Sequence, residues 1–264
     1  MKVKENISIS VFSIIVLLVL ASIGIFTLGI LGVFAQNNDS PKIVPRVVLA
    51  ELFVQGNCPT CPTAEFCLED LAWEYGTTKL ILVQEHLWGD GYDTPETNAR
   101  YNWYVGDSKK GTPDLFIDGL TKRLQGLSCD CVEGNYECYK DAIDEELARP
   151  SLLELSASKT IIEPDCIIKG TVKNVSDIPL KDLAVCGMAG REGDESGLYN
   201  YIQDIFPFQN VPPLLPGETF SFKFIPEISL TLESEIDEEG EVLHLVIFVQ
   251  NTITKEILQA LYIE

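Results

Sequence analysis

Apolar residues change their spacing several times between the two ends of this chain, and each change marks an element. Val47–Phe53 is a short run of apolar and β-branched residues, the signature of a buried strand. From Pro59 to Tyr75 the apolar side chains Ala64, Cys67, Leu68, Leu71 and Tyr75 recur at helical spacing, and Gly76 supplies a stop. Lys79–Glu85 predicts a second strand. The polar and aromatic stretch that follows predicts an insertion with one short helix around Glu96–Tyr104. "PDLFIDG" and "TKRLQG" predict two short strands joined near Gly119, and Asn135–Ala148 predicts an amphipathic helix ended by Pro150.

Beyond residue 150 the helical period is lost. "LLELSASKT", "DCIIKGTVKN", "DLAVCGMA", "ETFSFKFI", "EVLHLVIFVQN" and "KEILQALYI" are strand-like runs separated by Pro, Gly and acidic turns, which is the pattern of a β-sandwich. Three segments are therefore expected: 1–36, 37–150 and 151–264. In the first, Lys2 and Lys4 precede an apolar run from Ile7 to Ala35, and no charge falls between Glu5 and Asp39. A membrane span needs about 20 such residues. The expectation is a transmembrane anchor with its lysines in the cytoplasm, or a signal segment cleaved after Ala35; either places the remainder outside the cytoplasm.

Charge narrows the function classes. The net charge is −21, and residues 37–150 carry 10 basic and 20 acidic side chains against 7 and 19 in residues 151–264. With no basic patch in either half, a nucleic-acid partner is not expected, and contact with a membrane is expected only through the N-terminal segment.

All eight cysteines, at 58, 61, 67, 129, 131, 138, 166 and 186, lie beyond the apolar run. An even count in an exported chain favours disulfides over zinc. Cys58–Pro59–Thr60–Cys61 stands between the first strand and the first helix. A sulfur there faces the unpaired N–H groups of the helix N-terminus, which favour its thiolate. Cys58 is the candidate nucleophile and Cys61 the resolving thiol. His86, at the end of the second strand, is a candidate to stabilise the thiolate or move its proton, unless a loop carbonyl or Asp90 satisfies it. Glu85 is a further candidate proton acceptor if its side chain faces Cys61. His244, within a strand of the second half, reads as structural.

Several separated motifs then carry a resemblance. Glu51, Leu52 and Phe53 precede Cys58, Cys61 and Pro62; His86, Trp88 and Asp90 follow, then Arg100, Tyr104, Thr112 and Pro113. With the order strand, helix, strand, helix, hairpin, helix, the segment from Val47 to Gly119 resembles the thioredoxin superfamily. It looks closest to little-characterised secreted prokaryotic thioredoxin-like proteins. The C-terminal half resembles immunoglobulin-like modules of prokaryotic surface proteins, and its closing strands resemble those of outer-membrane-associated relatives with the same two-part layout. The implied fold is an α/β thioredoxin-like domain followed by an all-β immunoglobulin-like sandwich. The implied activity is a membrane-tethered thiol–disulfide oxidoreductase acting on protein thiols and disulfides, with an unidentified redox partner and no cofactor or metal. Thr112 and a cis Pro113, with Pro59 and Thr60, would shape the substrate groove. The Pro-Thr pair between the cysteines departs from the Gly-Pro of thioredoxin itself.

The other cysteines leave choices open. Cys166 and Cys186 sit in consecutive predicted strands, so a cross-strand disulfide is expected. Cys67, Cys129, Cys131 and Cys138 admit three pairings, a zinc site or a second redox pair. Two rival functions also stand: a cell-surface binding module with a structural Cys58–Cys61 bridge, and a thiolate carrier of a soft metal such as Cu(I). Only Met1 and Met188 are methionines, which leaves the last without a methionine-rich surface.

Overall fold

The computed structural model describes residues 43–126, 136–162, 165–192, 199–226 and 242–263. Residues 41–264 form one compact unit. Its first half runs β1 (Val48–Val54), α1 (Cys61–Tyr75), β2 (Leu80–His86), α2 (Pro95–Val105), β3 (Asp114–Ile117), β4 (Lys122–Gln125) and α3 (Glu137–Leu147). The second half has β5 (Leu153–Ile162), β6 (Asp165–Asn174), β7 (Leu183–Glu192), β8 (Tyr201–Ile205), β9 (Gln209–Val211), β10 (Thr219–Phe224), β11 (Val242–Asn251) and β12 (Ile257–Ile263). Strands β8 and β9 were not expected: "YIQDI" and "QNV" are short and mixed in polarity, so period alone does not separate them from loop.

The strands of the two halves are continuous. One nine-stranded sheet has the order β12-β11-β7-β8-β2-β1-β3-β4, with β9 paired to β7, and a second sheet has the order β10-β6-β5. The join is the parallel contact of β2 with β8 at Gln84 and Tyr201, where the Asn200 Nδ2 also donates to the Leu82 carbonyl at 2.7 Å.

The reason lies in the burial of β1 and β2, whose residues are all buried on both faces. On one face Val48, Ala50, Leu52, Val54, Leu80 and Leu82 pack under α1 and α3, together with Cys58 and Cys61. On the other, Leu49, Ile81 and Val83 pack directly on Ala184, Met188, Val246, Phe248 and Ile257 of the second half. A sheet buried on both faces needs cover on both. Here the strand-rich half supplies much of the second cover, alongside α2. The β10-β6-β5 sheet closes a further core against β7, β11 and β12.

The expected fold class is thereby corrected. The molecule is mostly β, and its first half is not a free-standing α/β thioredoxin-like domain followed by an independent immunoglobulin-like sandwich. Polar contacts seal the shared core. Arg46 NH1 donates to Asp118 Oδ2 at 2.7 Å and to the Ile257 carbonyl at 3.0 Å, and Gln250 Nε2 donates to the Tyr104 hydroxyl at 2.7 Å. Gly119 bridges to Glu256 at φ +70°, where an added Cβ would lie 2.0 Å from the Lys255 carbonyl oxygen. Only glycine permits both that backbone and that approach.

The expected membrane location is corrected as well. Among the described residues no helix is long and apolar enough to cross a membrane. The run from Ile7 to Ala35, on which the anchor was expected, lies outside the described residues.

Candidate functional site

The chain leaves β1 at Val54, turns with the Cys58 N–H donating to the Gln55 carbonyl at 2.9 Å, and enters α1 at Cys61. The helix starts two residues later than its sequence suggests, so Pro62 rather than Pro59 occupies the first turn, where a missing N–H costs little. Thr60 is the N-cap but makes no side-chain cap, and the first turn holds no acidic residue. In that turn the Cys61 N–H points at a sulfur, and Pro62 has no N–H to place.

Cys58 and Cys61 form a disulfide with their Cα atoms 5.5 Å apart. The Cys61 N–H donates to Cys58 Sγ at 3.1 Å, and the Thr60 hydroxyl lies 3.6 Å from the same sulfur. Cys58 keeps 9% of its surface exposed against 1% for Cys61, so an incoming group meets Cys58 first.

Thr112 and Pro113 lie at the same end of the sheet. Antiparallel pairing sets Asp114, the first residue of β3, opposite Phe53 near the end of β1, so the residues just before β3 flank the loop that follows β1. The Thr112–Pro113 peptide bond is cis.

His86 ends β2 opposite Val54. By strand alternation it shares a face with Leu80 and Leu82, the face that carries the cysteine pair. Its Nδ1 is 2.7 Å from Asp90 Oδ2, and the same oxygen accepts the Gly56 N–H at 2.9 Å. A carboxylate that accepts from both fixes the proton on Nδ1, and this leaves Nε2 as the acceptor of the neutral ring. Nε2 is buried and has no hydrogen-bond partner among the described residues. Asp90 thus ties the end of β2 to the cysteine loop through Gly56. Tyr92 and Tyr201 wall the imidazole, with ring centroids 5.3 and 6.4 Å away.

Glu85 does not join this group. It falls on the opposite face from Cys61, beside Glu51 and Arg100, so the condition for its service as proton acceptor to Cys61 is not met. There Arg100 Nε pairs with Glu51 and lies 3.7 Å from Glu85, while the Tyr104 hydroxyl donates to Glu51 Oε2 at 2.6 Å. Burial, then the negative charge of Glu51, hold the Glu85 carboxyl well above its ordinary range, against the pull of Arg100. In the sequence Glu51, Arg100 and Tyr104 stand out only as motif positions. The signal of a buried ion cluster was present in Glu51, a carboxylate in the middle of an otherwise apolar strand.

The remaining cysteines sort themselves differently from expectation. Cys166 and Cys186 are free thiols, which corrects the expected disulfide. Their strands β6 and β7 belong to different sheets, and their side chains to different cores. Cys67 and Cys138 are each disulfide-bonded, while Cys129 and Cys131 lie outside the described residues. Among the described residues no three His, Cys, Asp or Glu side chains gather as for a metal. His244 Nδ1 lies 2.5 Å from the Tyr262 hydroxyl on the neighbouring strand.

No protein-family model matches the chain, and no curated protein does. Among solved structures, HBP35 of Porphyromonas gingivalis is similar at 17% identity and a TM-score of 0.61, over 83% of this chain and 75% of that one. At that identity the likeness is one of fold. A Bacteroides uniformis β-glucuronidase matches at 21% identity and a TM-score of 0.30, over 42% of this chain and 12% of that one. That score carries no argument.

Proposed function

We propose that the protein exchanges thiols and disulfides through Cys58 and Cys61. The observation that carries the reading is the setting of Cys58. It is the more exposed residue of a closed pair, it stands at a helix mouth without a side-chain cap, and its sulfur accepts the Cys61 N–H at 3.1 Å. Hydrogen bonds to the charged form and the positive end of the helix dipole favour a thiolate.

In the reduced state the Cys58 thiolate attacks one sulfur of a substrate disulfide. A bond forms between Cys58 and that sulfur, and the other substrate sulfur leaves as a thiolate that takes up a proton. Cys61 then loses its proton and attacks Cys58 Sγ, which closes the internal bridge and releases the second substrate thiol. The substrate disulfide is reduced to two thiols and the protein dithiol is oxidised. Run in reverse, the same steps oxidise a substrate.

His86 serves as the proton acceptor and donor of these steps through Nε2, and Asp90 is the positioning residue that fixes its tautomer. Thr112 and Pro113, with Pro59 and Thr60, border the approach to Cys58 and would receive the substrate chain.

A trapping experiment tests the reading. Cys61→Ser, reduced and mixed with a peptide disulfide, should accumulate one mixed disulfide at Cys58, while Cys58→Ser should accumulate none and keep its melting temperature. Exchange that persists in Cys58→Ser would falsify the assignment. A Cys61→Ser protein that is folded but forms no adduct would return Cys58–Cys61 to a structural bridge.

A further inference from the structure

On the face of the sheet turned away from the cysteine pair, α2 stands off from β7, β11 and the segment around β8 and β9. The gap is a cavity of about 330 Å³. Its walls are mainly apolar, with Ala99 and Trp103 from α2, Ala184 and Cys186 from β7, and Ile205 and Phe208 opposite. Arg100, Gln250 and Thr252 are its polar members. Such a volume with few polar groups suits a small molecule.

The polar floor restricts what that molecule can be. The Arg100 side chain is 92% buried, being 8% exposed. It gives Nε–H to Glu51, one NH1 proton to Gln250 Oε1 at 3.3 Å and one NH2 proton to the Tyr104 hydroxyl at 2.7 Å. A guanidinium carries five N–H donors, so two remain for a further acceptor. Its charge is already answered by Glu51. An anionic ligand would meet a guanidinium whose charge Glu51 already neutralises, and a cationic one would face Arg100; either carries a desolvation cost that no opposite charge offsets. Gln250 is fully engaged with Arg100, Tyr104 and the Lys255 carbonyl. Trp103 and Phe208 stand partly exposed, 39% and 61%; Phe208 offers a flat apolar face, while Lys255 Nζ lies 5.0 Å from the Trp103 ring centroid.

We propose that this cavity binds a neutral, largely aromatic small molecule that presents one hydrogen-bond acceptor to Arg100. The site lies on the other face of the sheet from Cys58 and stands independently of the exchange reaction. Cys186 lines its wall and supplies a built-in reporter, and Cys166, buried in a separate core, supplies the control.

The test uses the full chain and the neutral aromatic ketone prodan, whose emission shifts to the blue in apolar surroundings. Saturable binding with a Kd below about 100 µM is expected. Ala99→Trp, on the exposed side of α2, narrows the mouth and should weaken binding by about tenfold or more without lowering the melting temperature. In the wild-type chain, bound prodan should slow alkylation of Cys186 by about fivefold or more at saturation and leave Cys166 unchanged. Absence of saturable binding overturns the proposal. So does binding that leaves Cys186 as reactive as before, or binding that a folded Ala99→Trp protein retains in full.

Discussion

Cys58 and Cys186 are exposed to nearly the same small extent, 9% and 8%, yet their surroundings prepare them for opposite fates. Cys58 sits just before the first turn of α1, where backbone N–H groups have no intrahelical partner and one of them points at its sulfur. Cys186 sits in the middle of β7, opposite Phe248 of β11, where the backbone groups are committed to the sheet ladder. Burial pushes its thiol up to about 12, against the pull of the Arg100 charge. Accessibility does not separate the two residues. The supply of unpaired backbone donors does.

The contrast can be broken most directly in the reduced protein at pH 7. A thiol with a pKa of about 12 is almost wholly protonated there. Alkylation should therefore reach Cys58 about a thousandfold faster than Cys186, as read by peptide mass mapping against time. Comparable rates would mean that the helix mouth does not activate Cys58.

The second prediction tests the buried cluster beneath the cavity. Because burial raises the Glu85 pKa in the folded protein while the unfolded chain releases its proton near 4.5, the contribution of Glu85 to stability should fall as pH rises above that value. Glu85→Gln removes this loss. Its stability advantage should grow by about 1.4 kcal/mol per pH unit until the folded Glu85 ionises, measured by urea unfolding across pH. A difference that stays constant with pH would place Glu85 ionised in the folded state.

The smallest effect is expected at the imidazole. His86→Gln should slow exchange by about fivefold near neutral pH and flatten its pH profile. A uniform slowing with an unchanged profile would assign His86 a packing role only.

Much of the local structure was legible because it rests on short-range chemistry. The change from strand period to helix period around Cys58, Gly76 at the end of α1 and the hairpin at Gly119 are all written in a few consecutive residues. The assembly was less so. Nothing in Leu49, Ile81 or Val83 says whether helices or another sheet will cover them, and the cover here comes from residues about 100 to 200 positions away. The expected fold class failed on that point. The Cys166–Cys186 expectation failed for a related reason, since strands consecutive in sequence were placed in different sheets. The condition set for Glu85 turned on one position of alternation: its neighbour His86 shares the sheet face of the cysteines, so Glu85 lies on the other.

The exchange reading stands most directly on the reduction potential of Cys58–Cys61. Equilibration in graded glutathione buffers, followed by alkylation and mass mapping, would measure it. A value between about −120 and −270 mV is expected, within the range of exchange catalysts. A bridge that stays closed below about −300 mV would behave as a structural disulfide and contradict the account.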